Sequence, residues 1–210
     1  MSTNAAGQPR RIGVFGGAFD PPHHAHVALA KAALAQFDLD VLHVIPTGHA
    51  WHKDRSLSAP EHRLAMARLA FGNIDRIVVD ACELQRAGFT YTLHTLKSLQ
   101  SENFGCQLYL FIGADQFAAF DQWHKWKEIL EIAIICIADR TESALTQIQF
   151  DAYAPNNHRF FILKLPLMPI SATEIRQAMA TGAATAEEAK KWVPEAVARY
   201  ISLHKLYGAG

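Results

Sequence analysis

The chain has 210 residues; half are apolar, and 20 basic side chains balance 20 acidic ones to a formal net charge of zero. That is enough length and apolar content for one sizeable core, and the balanced charge argues against general nucleic-acid or membrane-surface binding. No apolar run reaches the ~18–20 residues needed to cross a bilayer.

Residues 1–9 are small and polar and lack the apolar stretch of a signal peptide, so they read as a disordered tail before one domain over residues 10–208. A cytoplasmic protein is expected. Cys82, Cys106 and Cys136 are scattered, odd in number and set in or near apolar runs. They read as buried free thiols, neither disulfides nor metal ligands.

Arg11–Phe15 is the first strand pattern. It runs into Gly16-Gly17-Ala18-Phe19-Asp20-Pro21-Pro22-His23-His24-Ala25-His26, and Val27–Leu34 continues with a helical pattern. Strand, glycine turn, histidine pair and helix in that order bring backbone N–H groups and imidazoles to a helix N-terminus, a candidate nucleotide-phosphate site. His23 and His26 stand three apart and share one helix face. Both can donate to phosphate oxygens, and developing negative charge would favour their protonated forms. Two other readings of the histidines are a helix cap or core residue, and a zinc site drawing on His23, His24 and His26 with His43, His49 and His52. The chain has no Cys-x-x-Cys, no His-Glu-x-x-His and no carboxylate at ligand spacing, so no metal ligand is assigned. The turn also lacks G-x-x-x-x-G-K-[ST] and G-x-G-x-x-G, which sets aside Walker-type and dinucleotide loops.

Val41–Ile45 is the second strand. Ser58-Ala59-Pro60-Glu61 has capping-box spacing with proline in the first turn, opening a helix that continues to Phe71. Arg76–Val79 is a third strand. Thr92–Gln100 reads as a helix with Leu93, Leu96 and Leu99 on one side. Gln107–Ile112 and Ile132–Ile137 are continuous apolar runs, the pattern of parallel strands covered on both faces. Asp139–His158 is polar and irregular and reads as a loop. Arg159–Leu165 is a sixth strand. Ser171-Ala172-Thr173-Glu174 is a second capping box, opening Ile175–Ala180. Its N-terminus suits an anion, with Ser171 and Thr173 as added donors and Arg176 one turn on from Thr173. Pro194 begins a last helix that ends near Lys205, with Gly208 as its stop. Strands alternating with helices predict one open α/β sheet, doubly wound and parallel in the Rossmann manner, with its ligand at the carboxyl ends of the strands.

The chain resembles the nucleotidylyltransferase superfamily, which carries G-x-F-D-P-x-H-x-G-H early and I-S-[ST]-T-x-I-R late. These stand here as Gly17–His26 and Ile170–Arg176. Within the superfamily it is most similar to bacterial nicotinate-nucleotide adenylyltransferases, from about Ile12 to Tyr207. Pro46-Thr47-Gly48-His49-Ala50-Trp51-His52-Lys53, Tyr91-Thr92 with Thr95-Leu96, and Ile112-Gly113-Ala114-Asp115 with the later Trp123 match that narrower pattern. Two positions depart from it: Ala25 replaces a glycine that allows close ligand approach, and Ala50-Trp51 replaces a frequent Pro-Pro.

The resemblance implies adenylyl transfer from ATP, accompanied by Mg2+, to nicotinate mononucleotide in NAD biosynthesis. It implies catalytic roles for His23, His26, Lys53 and Arg176. ATP would meet Gly16, Gly17, Ala18, Phe19, Gly113, Asp115, Ile170, Ser171 and Thr173. The mononucleotide would meet Asp20, Tyr91, Thr92, Trp123 and His124, with Trp123 under the pyridine ring and the backbone N–H groups of Thr92 and His124 on the carboxylate. Two alternatives stand beside this. One is a related adenylyl- or cytidylyltransferase with another acceptor, such as pantetheine phosphate or nicotinamide mononucleotide. The other is a silent nucleotide-binding regulator, which would be expected to lack His26 or Arg176; both are present.

Overall fold

A computed structural model describes residues 3–4, 7–50, 57–139, 158–166, 168–185 and 187–208. Its strands are β1 (Arg11–Gly17), β2 (Val41–Pro46), β3 (His49–Ala50), β4 (Ile77–Val79), β5 (Phe89–Thr90), β6 (Gln107–Gly113), β7 (Ala133–Asp139) and β8 (Phe160–Lys164). Its helices are α1 (His24–Gln36), α2 (Pro60–Phe71), α3 (Cys82–Gln85), α4 (Thr92–Glu102), α5 (Ala114–Phe117), α6 (Trp126–Ile132), α7 (Ala172–Ala180) and α8 (Glu195–Leu203).

Six strands form one sheet in the order β4-β2-β1-β6-β7-β8, and every pairing in it is parallel. The chain builds outward from β1 to one edge, returns to β6 beside β1, and builds to the other edge. That is the doubly wound order, with its switch point between β1 and β6. At the centre, Phe15 pairs with Val44 on one side and Phe111 on the other.

The continuous apolar runs resolve into two alternating sets, because successive strand side chains point to opposite faces. Tyr109 and Phe111 of β6 and Ile134, Cys136 and Ala138 of β7 join α1, α2, α7 and α8 in one core cluster. Leu108, Leu110 and Ile112 with Ala133, Ile135 and Ile137 join α4 and α6 in the other. Leu93, Leu96 and Leu99 of α4 are buried there as their spacing predicts. Each fully buried Phe, Leu or Ile contributes about 1.5–3 kcal/mol relative to exposure.

Several expectations need correction. Ser58 is not a cap: Ala59 is the N-cap of α2, without a side-chain hydrogen bond, and Pro60 takes the first helical position. Ser58 instead uses its backbone, donating its N–H to Asp20 Oδ2 (3.2 Å) and accepting from Arg63 Nε (3.1 Å). Ile132 ends α6, and β7 starts one residue later and runs on to Asp139. The rest of the expected loop, residues 140–157, lies outside the described residues. All three cysteines are free, but only Cys136 is fully buried; Cys82 and Cys106 are half-buried. Within the expected tail, Thr3 and Pro9 form an antiparallel bridge around a turn in which Gly7 has φ +73.

Candidate active site

A cavity of about 610 Å3 opens at the carboxyl ends of the strands around the switch point. The ends of β1, β2, β6 and β7 supply its floor through Gly16, Thr47, Gly113 and Ala138. The glycine–histidine turn, the α7 N-terminus and the segment around Tyr91 and Trp123 form its walls.

The two glycines of the turn do different things. A Cβ on Gly16 would meet nothing within 4 Å, so this is the glycine with open space for a ligand. A Cβ on Gly17 would lie 2.9–3.2 Å from the ring of Phe19. Phe19 is 1% exposed at φ +48 and packs edge-on against Phe15, Phe71 and His26. The missing side chain at Gly17 therefore makes room for the aromatic anchor of the turn.

The histidines divide three ways. His23 is the N-cap residue of α1 and is 3% exposed. Its ring stacks on His26 with centroids 3.7 Å apart and planes 23° apart. The backbone N–H of His23 donates to His26 Nδ1 at 3.2 Å. An Nδ1 that accepts leaves Nε2 as the protonated nitrogen of neutral His26, a donor held ready for an anion. His24 faces elsewhere: its Nε2 lies 3.2 Å from the Lys190 carbonyl and its N–H donates to the Trp192 carbonyl at 2.8 Å. Ala25 is buried and lines the cavity.

Asp20 also lines the cavity, but the structure gives it internal partners. It is 2% exposed; Oδ1 accepts from the Tyr207 hydroxyl at 2.6 Å and Oδ2 from the Ser58 N–H. Its carbonyl accepts from Arg176 Nη1 at 2.6 Å. The carboxylate thus lines the cavity while tying the turn to the chain end and to Ser58 ahead of α2.

The second half of the site is the N-terminus of α7. Ser171 caps it, accepting from the Glu174 N–H at 3.2 Å and donating its hydroxyl proton to Glu174 Oε2 at 2.7 Å. Its hydroxyl proton is thus shared with Glu174, and Ser171 also lines the cavity. Ile170 lines the cavity beside it. Arg176 Nη2 donates to Thr173 Oγ1 at 3.1 Å, one turn apart as expected. Thr173 and Arg176 are not in the cavity lining, but Arg176 reaches it through the carbonyl of Asp20.

Tyr91, Thr92, Trp123 and His124 line another wall of the cavity. Tyr91 and His124 rings lie 4.3 Å apart, and Trp123 is half-buried with its ring 5.5 Å from Phe120. Gly113 and Asp115 line the cavity after β6, with Asp115 Oδ2 accepting from Gln116 Nε2 at 3.1 Å. Lys53, with Trp51 and His52, lies outside the described residues.

Residue patterns did not single out Glu83 or Arg63. Glu83 is 8% exposed and lines the cavity; Oε1 accepts from Thr95 Oγ1 at 2.9 Å, and the Gly48 N–H and Thr90 also bond to the carboxylate. Burial pushes its carboxyl above the usual range, against those hydrogen bonds and the Arg86 guanidinium, which pull it down. Arg63 is 2% exposed and ties three carbonyls together: Ser58 (3.1 Å), Ala18 (3.1 Å) and Thr47 (2.7 Å). An arginine three and four residues before Met66 and Ala67, on the buried face of α2, was the available signal. Glu83 carried none, since α3 is only four residues long.

A parallel doubly wound sheet with two helix N-termini beside one cavity at its switch point is the architecture of nucleotide-binding α/β proteins. Residues 14–178 match the family model described as cytidylyltransferase-like. A protein of Albidiferax ferrireducens described as a probable nicotinate-nucleotide adenylyltransferase is 49% identical over 198 residues, spanning 94% of this chain and 98% of its own length. One of Methylibium petroleiphilum with the same description is 35% identical over 212 residues, spanning 97% and 95%. The solved structure of Plasmodium falciparum nicotinic acid mononucleotide adenylyltransferase complexed with NaAD shares the fold, with a TM-score of 0.76 at 20% identity over 96% of this chain and 98% of that one. The chain belongs to the nicotinate-nucleotide adenylyltransferase family.

Proposed function

We propose that this chain transfers the adenylyl group of ATP to nicotinate mononucleotide, giving nicotinate adenine dinucleotide and pyrophosphate, a step of NAD biosynthesis. One observation carries the reading: a single cavity joins the His26 side of the glycine turn, the α7 N-terminus and the Tyr91–Trp123 wall. A triphosphate fits between the first two, and a second nucleotide fits against the third.

The chemistry needs few groups. A phosphate oxygen of the mononucleotide attacks the α-phosphorus in line, a new P–O bond forms, and the bond to the β-phosphate oxygen breaks as pyrophosphate leaves. The nucleophile is already an anion, so no general base and no covalent enzyme intermediate are required. Catalysis then rests on alignment and on stabilising negative charge. The Nε2 proton of His26 suits the α-phosphate oxygens, and the stacked His23 holds that ring in place. The α7 amides and the Arg176 guanidinium suit the departing pyrophosphate, with Lys53 as a further cation by family resemblance. Mg2+, accompanying ATP, would neutralise part of the phosphate charge and would need few protein ligands. Tyr91, Thr92, Trp123 and His124 suit the mononucleotide. The reactants are charged, water-soluble small molecules, and we assign the enzyme to the cytoplasm with them.

The test is an assay with ATP, Mg2+ and, separately, nicotinate mononucleotide, nicotinamide mononucleotide and pantetheine phosphate. Pyrophosphate release with dinucleotide formation is expected with nicotinate mononucleotide at the highest kcat/KM. Failure with both mononucleotides would overturn the function, and a higher kcat/KM for another acceptor would reassign the substrate.

A further inference from the structure

The end of the chain reaches into the turn that carries the histidines. After α8 the backbone takes three left-handed residues in four: Lys205 (φ +48), Tyr207 (φ +60) and Gly208 (φ +76). Two of these are not glycine, and such a conformation persists only where the surroundings over-determine it. Here the surroundings do. Leu206 and Tyr207 pack on the core cluster beneath α7, and a Cβ on Gly208 would lie 3.5 Å from Ala180 Cα. The result is that the Tyr207 hydroxyl donates to Asp20 Oδ1 at 2.6 Å, across 187 residues of sequence.

Asp20 is where three separate segments meet. Tyr207 from the chain end and Ser58 from the start of α2 donate to its two carboxylate oxygens, and Arg176 from α7 donates to its carbonyl. Three residues further on, the His23 N–H fixes His26 through Nδ1. An oxygen shift at Asp20 therefore moves the turn, and through it the direction of His26 Nε2. It also moves Arg176, because the same residue accepts from that guanidinium.

We infer that Tyr207 is a positioning residue for adenylyl transfer: its hydroxyl, bonded to Asp20, sets the geometry in which the histidine turn and Arg176 face one triphosphate. This rests on the function proposed above. Tyr207 touches no reacting atom in this scheme, so its effect falls on kcat and not on mononucleotide binding.

The experiment compares Tyr207→Phe with the unsubstituted enzyme at a temperature where circular dichroism shows both fully folded. The phenyl ring keeps the packing and removes only the hydroxyl. The expected result is a loss of roughly tenfold in kcat, the scale of a sub-ångström misalignment, with KM for the mononucleotide within about twofold. Labelled-histidine 15N spectra give a second readout. The His26 ring, assigned from its missing signals in His26→Gln, reads as the Nε2–H tautomer in the parent and as a tautomer mixture in Tyr207→Phe. Tyr109→Phe, which removes a phenol bonded to Gln107 away from the site, keeps the parent kcat. An unchanged kcat in Tyr207→Phe, or an unchanged His26 tautomer, overturns the inference. Inactivity of the unsubstituted enzyme would instead overturn the function, so the two failures are distinct.

Discussion

His26 acquires its chemistry from a neighbour's backbone. A free imidazole exchanges its proton between two nitrogens; here the His23 N–H occupies Nδ1 and assigns the proton to Nε2. The stacked His23 ring and the neighbouring Phe15 and Phe19 rings then limit its rotation. A donor fixed before substrate arrives reorganises little as charge develops, which is where such donors contribute most. Replacing His26 with alanine is accordingly expected to lower kcat on the order of 10²-fold or more while the protein stays folded. Rapid-quench measurement of dinucleotide formation, with circular dichroism on the same sample, checks this. A kcat within twofold of the parent would remove His26 from the chemistry. Asp20 shows the opposite case. Its carboxylate draws its donors from distant segments, the Tyr207 hydroxyl and the Ser58 N–H.

At the scale of elements, α2 is tied to the site by one buried arginine. Arg63 holds the carbonyl of Ser58 before its own helix, that of Ala18 in the glycine turn and that of Thr47 after β2. Its removal leaves three carbonyls seeking donors in a closed space, at a cost of about 3 kcal/mol or more. Arg63→Met should lower the urea midpoint by that free energy divided by the slope, with the slope unchanged. Arg63→Lys should recover only part, because one ammonium cannot reproduce a planar fork spanning three acceptors. A parent-like midpoint in Arg63→Met would show that the fork is dispensable. The elements that could be read from residues alone are those with internal periodicity or local chemistry. The continuous apolar runs of β6 and β7, the leucine spacing of α4 and the Ser171–Glu174 cap each lie within about ten residues of sequence. The floor around Glu83 does not. It is assembled from a four-residue helix, a glycine after β2, the two-residue strand β5 and a threonine on α4, and none of these has a period to detect. Tyr207 was silent for the same reason, since its partner is reached only through the tertiary fold.

On the scale of the whole molecule, the site and the core are parts of one sheet, so ligand binding and global stability are linked. The cysteines report on that link. Cys136 lies on β7 between β6 and β8, with no exposed surface, and burial raises its thiol pKa. Cys82 is pushed up to about 12 by burial and the neighbouring Asp80 carboxylate, and burial raises Cys106 as well. Raised thiols are poor nucleophiles near pH 8, where the thiolate is the reactive form. Cys136 additionally needs the sheet to open before any reagent can reach it. Its alkylation in mild urea should therefore follow the population of globally unfolded chains, whereas half-buried Cys106, at the start of β6 and remote from the cavity, should react through smaller local openings. A ligand that binds only the folded chain stabilises it by about 2.7 kcal/mol at a hundred times its Kd. Saturating nicotinate adenine dinucleotide at that level should slow Cys136 alkylation by about 100-fold and Cys106 by much less, read site by site by mass spectrometry. Equal slowing at both cysteines would mean that every thiol reacts through one global opening. No slowing at Cys136 would mean that the dinucleotide does not bind the folded chain, independently of any turnover assay.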